Sequence, residues 1–248
     1  MGLLAALQFL TILPVRRGFT SEQIGRAAAA WFPIVGIIIG LILVGLHYVL
    51  HLLLPAGLVN ALLLVALVIL SGSLHLDGLA DTIDGMAGHR TPEQRLEIMS
   101  DSRIGGIGAV GLFLFLILEY VALNSIPEKW LPYTLLVAPA VSRWAMVNAI
   151  FTYPYAKPAG SGKAFKEGVS WKVFLPATLV ALLVAVVLFQ VAGLVIIAGA
   201  WVTITLAALY FKRSLHGLTG DTYGAINEIA TVTVFMVVSA LAFNHWLL

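Results

Sequence analysis

Residues 173–211 read Val173-Phe-Leu-Pro-Ala-Thr-Leu-Val-Ala-Leu-Leu-Val-Ala-Val-Val-Leu-Phe-Gln190, then Val191-Ala-Gly-Leu-Val-Ile-Ile-Ala-Gly-Ala-Trp-Val-Thr-Ile-Thr-Leu-Ala-Ala-Leu-Tyr-Phe211, without one charged residue. At 1.5 Å per residue, roughly 20 residues cross a hydrocarbon core about 30 Å thick, so the stretch is far too long for a single span. Gln190 and Gly193 are the only residues in it that mark a turn, and they divide it into spans at 173–190 and 193–211.

Working outward, apolar runs near 31–54, 57–74, 105–125, 132–151 and 226–247 each have the length of a crossing. The total is seven. Composition agrees: 60% of the 248 residues are hydrophobic, 10% are charged and none is cysteine, and the mean hydropathy is +1.01. These values exclude an ordinary water-soluble globule. The expected fold is all-α, a single membrane-embedded domain over residues 1–248 with short cytoplasmic helices. The segment Leu3–Leu13 is too short to span, and its basic pair Arg16-Arg17 follows the apolar part, so it is no signal peptide. It reads as an interfacial or re-entrant helix ended by Pro14.

Seven spans make the loops alternate, and the basic residues then sort. Arg16, Arg17, Arg26, Arg90, Arg95, Arg103, Lys157, Lys163, Lys166, Lys172, Lys212 and Arg213 fall on the N-terminal side, while Lys129 falls opposite. The positive-inside rule makes the first side cytoplasmic. Asp77, Asp81, Asp84, Glu93, Glu97, Asp101, Glu167, Asp221 and Glu228 also lie in or beside those connections. Chemistry on a polar substrate is therefore expected at the cytoplasmic leaflet, in a multi-pass protein whose lipid partner is the bilayer. No nucleic-acid partner is expected, and a homo-oligomer is allowed.

The densest chemistry is His75-Leu-Asp-Gly-Leu-Ala-Asp-Thr-Ile-Asp-Gly85. Asp77, Asp81 and Asp84 stand at i, i+4 and i+7, within an arc of about 60° on a helix. No Lys or Arg occurs between Arg26 and Arg90, so no local salt bridge is on offer. Two carboxylates roughly 6 Å apart repel by about 0.7 kcal/mol in water but about 3 kcal/mol at an effective dielectric near 20. A partly buried cluster must then bind a cation or keep a proton. His75 precedes the acids but faces roughly 160° from Asp77 on a straight helix. It is a base, a supporting residue or a helix-end polar group.

Thr91-Pro-Glu-Gln-Arg95 reads as a new helix with Thr91 as N-cap and Pro92 at its first position; Arg95 sits on it. Asp101-Ser-Arg103-Ile-Gly105-Gly-Ile-Gly108 then opens the third span. Its glycines permit close helix packing, or an anion on backbone amides, and Arg103 tilts the balance toward a phosphate. Near residue 215 a glycine-rich turn presents Asp221, with Asn227 and Glu228 on the opening turn of the last helix. Arg143 falls mid-span, where it costs at least about 2.5 kcal/mol unless paired or hydrated. Glu119 is poorly matched to it in depth, so Arg143 is expected to face a polar cavity that receives phosphates. His47 and His51 read as interfacial.

Three motifs together carry a resemblance: His75-x-Asp77-Gly-Leu-Ala-Asp81-Thr-x-Asp84-Gly85, Arg95-Leu-Glu-Ile-Met-x-Asp101-Ser-Arg-Ile-Gly, and Leu218-Thr-Gly-Asp221-x-x-Gly-Ala-x-x-Glu228. With Leu7-Gln-Phe-Leu-Thr-x-Leu-Pro14 and Phe32-Pro-x-Val-Gly36, they make nearly the whole chain resemble the adenosylcobinamide-GDP ribazoletransferase family. The resemblance implies a Mg2+-dependent inner-membrane enzyme joining adenosylcobinamide-GDP to the 5' hydroxyl of α-ribazole, or to its 5'-phosphate form, with release of GMP. The chemistry of the residues agrees: a diphosphate donor on a divalent metal needs converging carboxylates, expected to be Asp77, Asp81, Asp84, Asp101 and Asp221, and Arg103, Arg143, Arg95, Lys157 and Gly105 are the expected substrate contacts. Asp84, with His75 beside it, is the expected proton acceptor. Ser100 and His216 depart from the pattern, which has a basic residue and a glycine there.

A CDP-alcohol phosphotransferase shares the logic of acids, metal and diphosphate, but Asp81 follows Ala80 where that motif has arginine. An aspartate-rich prenyltransferase would need a long lipid-facing cleft. A cation-coupled transporter would gather its charges near the midplane, and these gather at one leaflet.

Overall fold

A computed structural model describes residues 2–15, 18–20, 24–25, 28–157 and 160–247. Arg16, Arg17 and Arg26, three of the basic residues sorted above, lie outside the described residues. Everything named as an element is helical. A short helix α1 (Gly2–Leu10) and a 3-10 turn (Ala29–Trp31) lead into α2 (Phe32–His51), α3 (Ala56–Leu70), α4 (Leu74–Met86) and α5 (Pro92–Ile98). There follow α6 (Gly106–Asn124), α7 (Leu131–Thr152), α8 (Ser161–Gly168), α9 (Trp171–Phe189), α10 (Val191–Leu215) and α11 (Gly220–Phe243).

Among the described residues, six helices are long and apolar enough to cross a membrane alone: α2 with its leading turn, α6, α7, α9, α10 and α11. The second expected span is different. Its helix α3 has only 15 residues, about 22 Å, and the chain then bends by 89° into α4. Gly72 (φ 60) and Ser73 (φ 57) make that bend in left-handed backbone, which glycine adopts freely and serine does not. The bend takes the acid-rich helix off the line of the crossing. Counting α3 and α4 as one broken span restores seven.

The break at Gln190 is present: its φ is 52 and ψ −130, and Gly193, lacking a Cβ, lets the next helix press on the Ala185 carbonyl. Two boundaries move. α10 continues to Leu215, past Lys212 and Arg213, and α11 starts at Gly220 instead of near 226. Asp221 therefore belongs to the first helical turn, and Glu228 lies two turns in.

α7 is the centre of the bundle, 89% buried over its apolar window, against 22% for α6 and α9 and 28% for α10. The peripheral helices carry exposed Phe113, Leu114, Leu179, Leu183 and Leu206, as a lipid-facing surface does. Gly36 and Gly40 of α2 abut the backbone of α7 at Pro139–Ala140 and Leu135–Leu136. Small residues four apart permit such contact where the packing of backbones, rather than water exclusion, holds helices together. α1 tucks inward, burying Ala5, Ala6 and Leu10, and the Gln8 side chain bonds both the N–H and the carbonyl of Phe19.

Candidate active site

Glycines bring the acids together. A Cβ on Gly78 would stand 2.7 Å from the Asp221 carbonyl oxygen, and one on Gly224 would stand 3.2 Å from the backbone of His75. α4 and α11 thus touch backbone to backbone, which carries Asp77 and Asp81 up to Asp221. Thr219 and Thr222 cap the start of α11 reciprocally, and the Thr219 hydroxyl donates to Asp221 Oδ2 at 3.2 Å. Asp81 feels Asp77, Asp221 and Asp84; burial first, then these three charges, push its carboxyl up to about 6. Among the described residues no hydrogen bond or ion pair reaches the carboxylates of Asp77 or Asp81.

A cation does approach, from a distant loop. Ala156 N–H donates to Leu218 O and Leu218 N–H to Pro154 O, each at 2.8 Å, so the segment after α7 runs beside the turn before α11. Lys157 Nζ then lies 3.5 Å from Asp221 Oδ2 and 3.2 Å from Ser100 Oγ. The absence of a nearby basic residue in sequence did not anticipate this partner, because residues 64 positions apart meet here. Ser100 and His216, the two departures from the family pattern, flank this same junction. His216 ends α10 in left-handed backbone at φ 60, the reason a glycine is expected there.

The remaining acids are already engaged. Asp84 Oδ2 accepts from the Gly105 N–H and Oδ1 from the Gly108 N–H, both at 2.7 Å. It caps the first turn of α6, whose own N-cap, Gly105, has no side chain. The anion at the glycine-rich turn is thus a carboxylate of this chain, and the cradle expected at Gly105 for a phosphate is filled by Asp84. The sequence carried a signal for this: a helix opening on glycines with no Ser, Thr, Asn or Asp at its cap must find an acceptor elsewhere. Asp101 is held by Arg103, with Nε–Oδ1 at 3.1 Å and Nη2–Oδ2 at 2.7 Å. The guanidinium keeps the Asp101 carboxyl down at about 2. Both side chains are exposed.

Two expected phosphate contacts sit elsewhere. Arg95 gives its donors to the carbonyls of Gly85, Gly88 and Arg90, neutralising the carbonyl end of α4, and Arg90 adds a bond to the Asp84 carbonyl. Arg143 is 1% exposed and bonds Ser71 and Ser142, with Glu119 and Glu228 as its electrostatic partners. It does not open onto a phosphate-sized cavity: the hollow beside it, lined by Ser71, Glu119 and Glu228, holds about 10 Å³. Among the described residues no ion pair within 4.0 Å joins Arg143 to Glu119 or Glu228, and Arg143 Nε and Glu119 Oε1 are buried without a hydrogen-bond partner. His75 Nδ1 stands 3.8 Å from Glu228 Oε1, and neither ring nitrogen has a hydrogen-bond partner among the described residues.

Two concavities adjoin the acids. A hollow of about 110 Å³ has Asp77, Asp221 and His75 on one side and Phe9, Phe32, Phe165, Met146 and Ile150 on the other. Its rings pack on one another, Phe9 against Phe165 at 4.7 Å and Phe32 against Phe165 at 5.5 Å. A wider cleft of about 500 Å³ is lined by Asp81, Asp84, Asp101, Arg90, Arg103 and Gly105. Lys166 serves neither, since it caps the end of α7 through the carbonyls of Ile150 and Phe151.

Comparison with known proteins follows the same outline. Residues 2–239 match a family model described as cobalamin-5-phosphate synthase. An adenosylcobinamide-GDP ribazoletransferase of Roseiflexus sp. (strain RS-1) is 39% identical over 229 residues, covering 92% of this chain and 85% of the relative. One of Geotalea daltonii is 36% identical over 239 residues, 95% and 96% of the two chains. One of Desulfitobacterium hafniense (strain Y51) is 39% identical over 240 residues, 91% of each. No solved structure matches. The acid-bearing helix, the arginine-and-glycine opening of α6 and the capped start of α11 all fall within the matched residues, and the chain belongs to the cobalamin-5-phosphate synthase family.

Proposed function

We propose that this chain transfers the adenosylcobinamide-phosphate moiety of adenosylcobinamide-GDP to α-ribazole or its 5'-phosphate, releasing GMP, in the inner membrane with its acids facing the cytoplasm. The observation that carries this reading is the convergence of Asp77, Asp81 and Asp221 from two helices beside an aromatic hollow and a wider basic-rimmed cleft.

The oxygen chemistry of these acids suits a divalent cation, while their ligating atoms do not close to within 4.8 Å of one another as those of His47, His51 and Glu128 do. Asp77 and Asp81 carry no hydrogen-bond partner among the described residues, Asp221 shares only one oxygen, with Thr219 and Lys157, and the repulsion that lifts Asp81 is relieved by positive charge. Oxygen ligands of this kind suit Mg2+. Bound there, the ion would neutralise the diphosphate and stabilise the departing GMP.

The chain's own groups supply the rest. The apolar hollow takes the flat aromatic base of the acceptor, which leaves its ribose at the rim with Asp77 and Asp221. The cleft takes the donor diphosphate, with Arg90 and Arg103 on its wall and Lys157 beyond it on Asp221. A ribose hydroxyl oxygen then bonds to the phosphorus on the cobinamide side, the bridging P–O bond breaks, and GMP leaves with the bridging oxygen. A cobalamin 5-phosphate, the product in the family description, keeps the acceptor's phosphate. With the phosphorylated acceptor the attacking oxygen is therefore a secondary ribose hydroxyl, not the 5' one. Asp77, which lines the hollow, accepts its proton and leaves Asp81 and Asp221 to hold the ion; Asp84, with both oxygens on backbone amides, instead locks α6 in place.

The test uses purified full-length protein in lipid with the GDP-linked corrinoid, α-ribazole or its 5'-phosphate, and Mg2+. Mass spectrometry should find the joined product and GMP in equal amounts. GMP without joined product, or neither, refutes the assignment.

A further inference from the structure

A second ligand cluster lies at the far end of the bundle from the acids. Phe32, the first residue of α2, lines the same hollow as Asp77 and Asp221. His47 and His51 come 15 and 19 residues later on that helix, about 22 and 28 Å along it. They are one turn apart, so both imidazoles project from one face, and their ring centroids are 4.8 Å apart. Glu128, from the connection between α6 and α7, meets them: His51 Nε2 and Glu128 Oε1 are 3.6 Å apart. One ligating atom from each of the three lies within 4.8 Å of the others.

His47 is the informative member. It is 2% exposed, and its Nδ1 is buried with no hydrogen-bond partner among the described residues. A buried polar nitrogen left unpaired is destabilising, and metal ligation would relieve it. An open depression lined by His47, Tyr48, Glu128 and Tyr133 gives access from outside. Lys129, which lines the same depression, sets its Nζ 4.9 Å over the Trp130 ring, and no ion pair joins it to Glu128 among the described residues. Side-chain exposure rises across the cluster, with His51 at 23% and Glu128 at 71%, so an ion can reach it from solvent.

We propose that His47, His51 and Glu128 bind a transition-metal ion, Zn2+ by preference, that pins the end of α2 to the α6–α7 connection. Two imidazoles four residues apart on a helix plus one carboxylate form a zinc ligand set with one open position. It disfavours Mg2+, which takes oxygen ligands. The site differs in chemistry and in place from the acids of the proposed active site.

The full-length protein, purified in detergent without a histidine tag and stripped with chelator, would be titrated with Zn2+ and with Mg2+ by calorimetry and thermal melting. The proposal requires roughly one Zn2+ per chain, a rise in Tm with Zn2+ that Mg2+ does not reproduce, and the visible absorption of a tetrahedral ion with Co2+. His51→Ala and Glu128→Gln should each weaken Zn2+ by more than the roughly 10- to 100-fold that loss of an outer-shell partner costs, while each apo variant melts close to the apo parent. Absence of saturable Zn2+ binding, or binding unchanged in both variants, overturns it. Transferase activity is no part of this readout, so failure here leaves the proposed function standing, and the reverse holds.

Discussion

The two halves of α4 carry similar acids in different circumstances. Asp77 and Asp81, toward its start, have carboxylates that no side chain or amide engages among the described residues. Asp84, one turn further, has both oxygens on the amides of Gly105 and Gly108. The helical spacing that groups all three on one face says nothing of this. What separates them is the neighbour: α11 brings another acid against the first half, and α6 brings an uncapped N-terminus against the second. Charge left over at the first half is available for a ligand, while charge at the second is consumed in holding a helix.

The largest effect should come from the free half. Asp81→Asn should lower turnover by about 1,000-fold or more, in keeping with several kcal/mol of metal-borne transition-state stabilisation, while Tm of the apo protein holds or rises. Near-normal turnover in a Mg2+-dependent assay would remove Asp81 from the site. Chelation should stop the parent enzyme, and added Mg2+ should restore it.

Arg143→Ala comes next and acts on stability. It removes the buried bonds to Ser71 and Ser142 and leaves a large void in the centre of the bundle, a loss of about 2–5 kcal/mol, read as a large drop in melting temperature or failure to insert. A well-folded variant with only a raised donor KM would return Arg143 to the phosphate site.

Asp84→Ala should cost about 1–2 kcal/mol, the range for a lost helix cap, with the metal requirement of the remaining activity unchanged. If its Tm is normal and its Mg2+ affinity falls instead, the two halves of α4 are not different in kind. A pH series sharpens the contrast. Asp81 is raised to about 6 in the fold from an ordinary 3.8, so the apo fold is penalised as pH rises through that window, and cation binding lifts the penalty. Activity should therefore fall as pH drops through about 6, and saturating Mg2+ should move that acid limb lower. The smallest effect is His216→Gly, which relieves left-handed strain and should stabilise by up to about 1 kcal/mol, visible as a small rise in Tm.

The spans, the break at Gln190 and the gathering of acids between them were legible because each rests on local chemistry. An apolar run long enough to cross a bilayer has one helical solution, and a charge-free run of 39 residues must turn somewhere. The residues that meet at the site were legible in type, through the three spaced motifs, but their tasks were not. Arg95 and Arg143 look like phosphate ligands in sequence because arginine usually is one. In the fold Arg95 spends its donors on carbonyls at the end of α4, and Arg143 is enclosed by serines and glutamates.

Sequence alone determined a helical membrane bundle with its acids clustered between spans, since hydropathy, length and i, i+4 spacing act within one stretch of chain. Tertiary structure decided which acid is free and which is committed, that the chain turns by 89° between α3 and α4 to lay the acids against α11, and that Lys157 reaches Asp221 across 64 residues. The physical reason is range. A hydrogen-bond donor or a counter-charge satisfies a carboxylate only within a few ångströms, and which donor arrives there is set by helix packing, not by position along the chain.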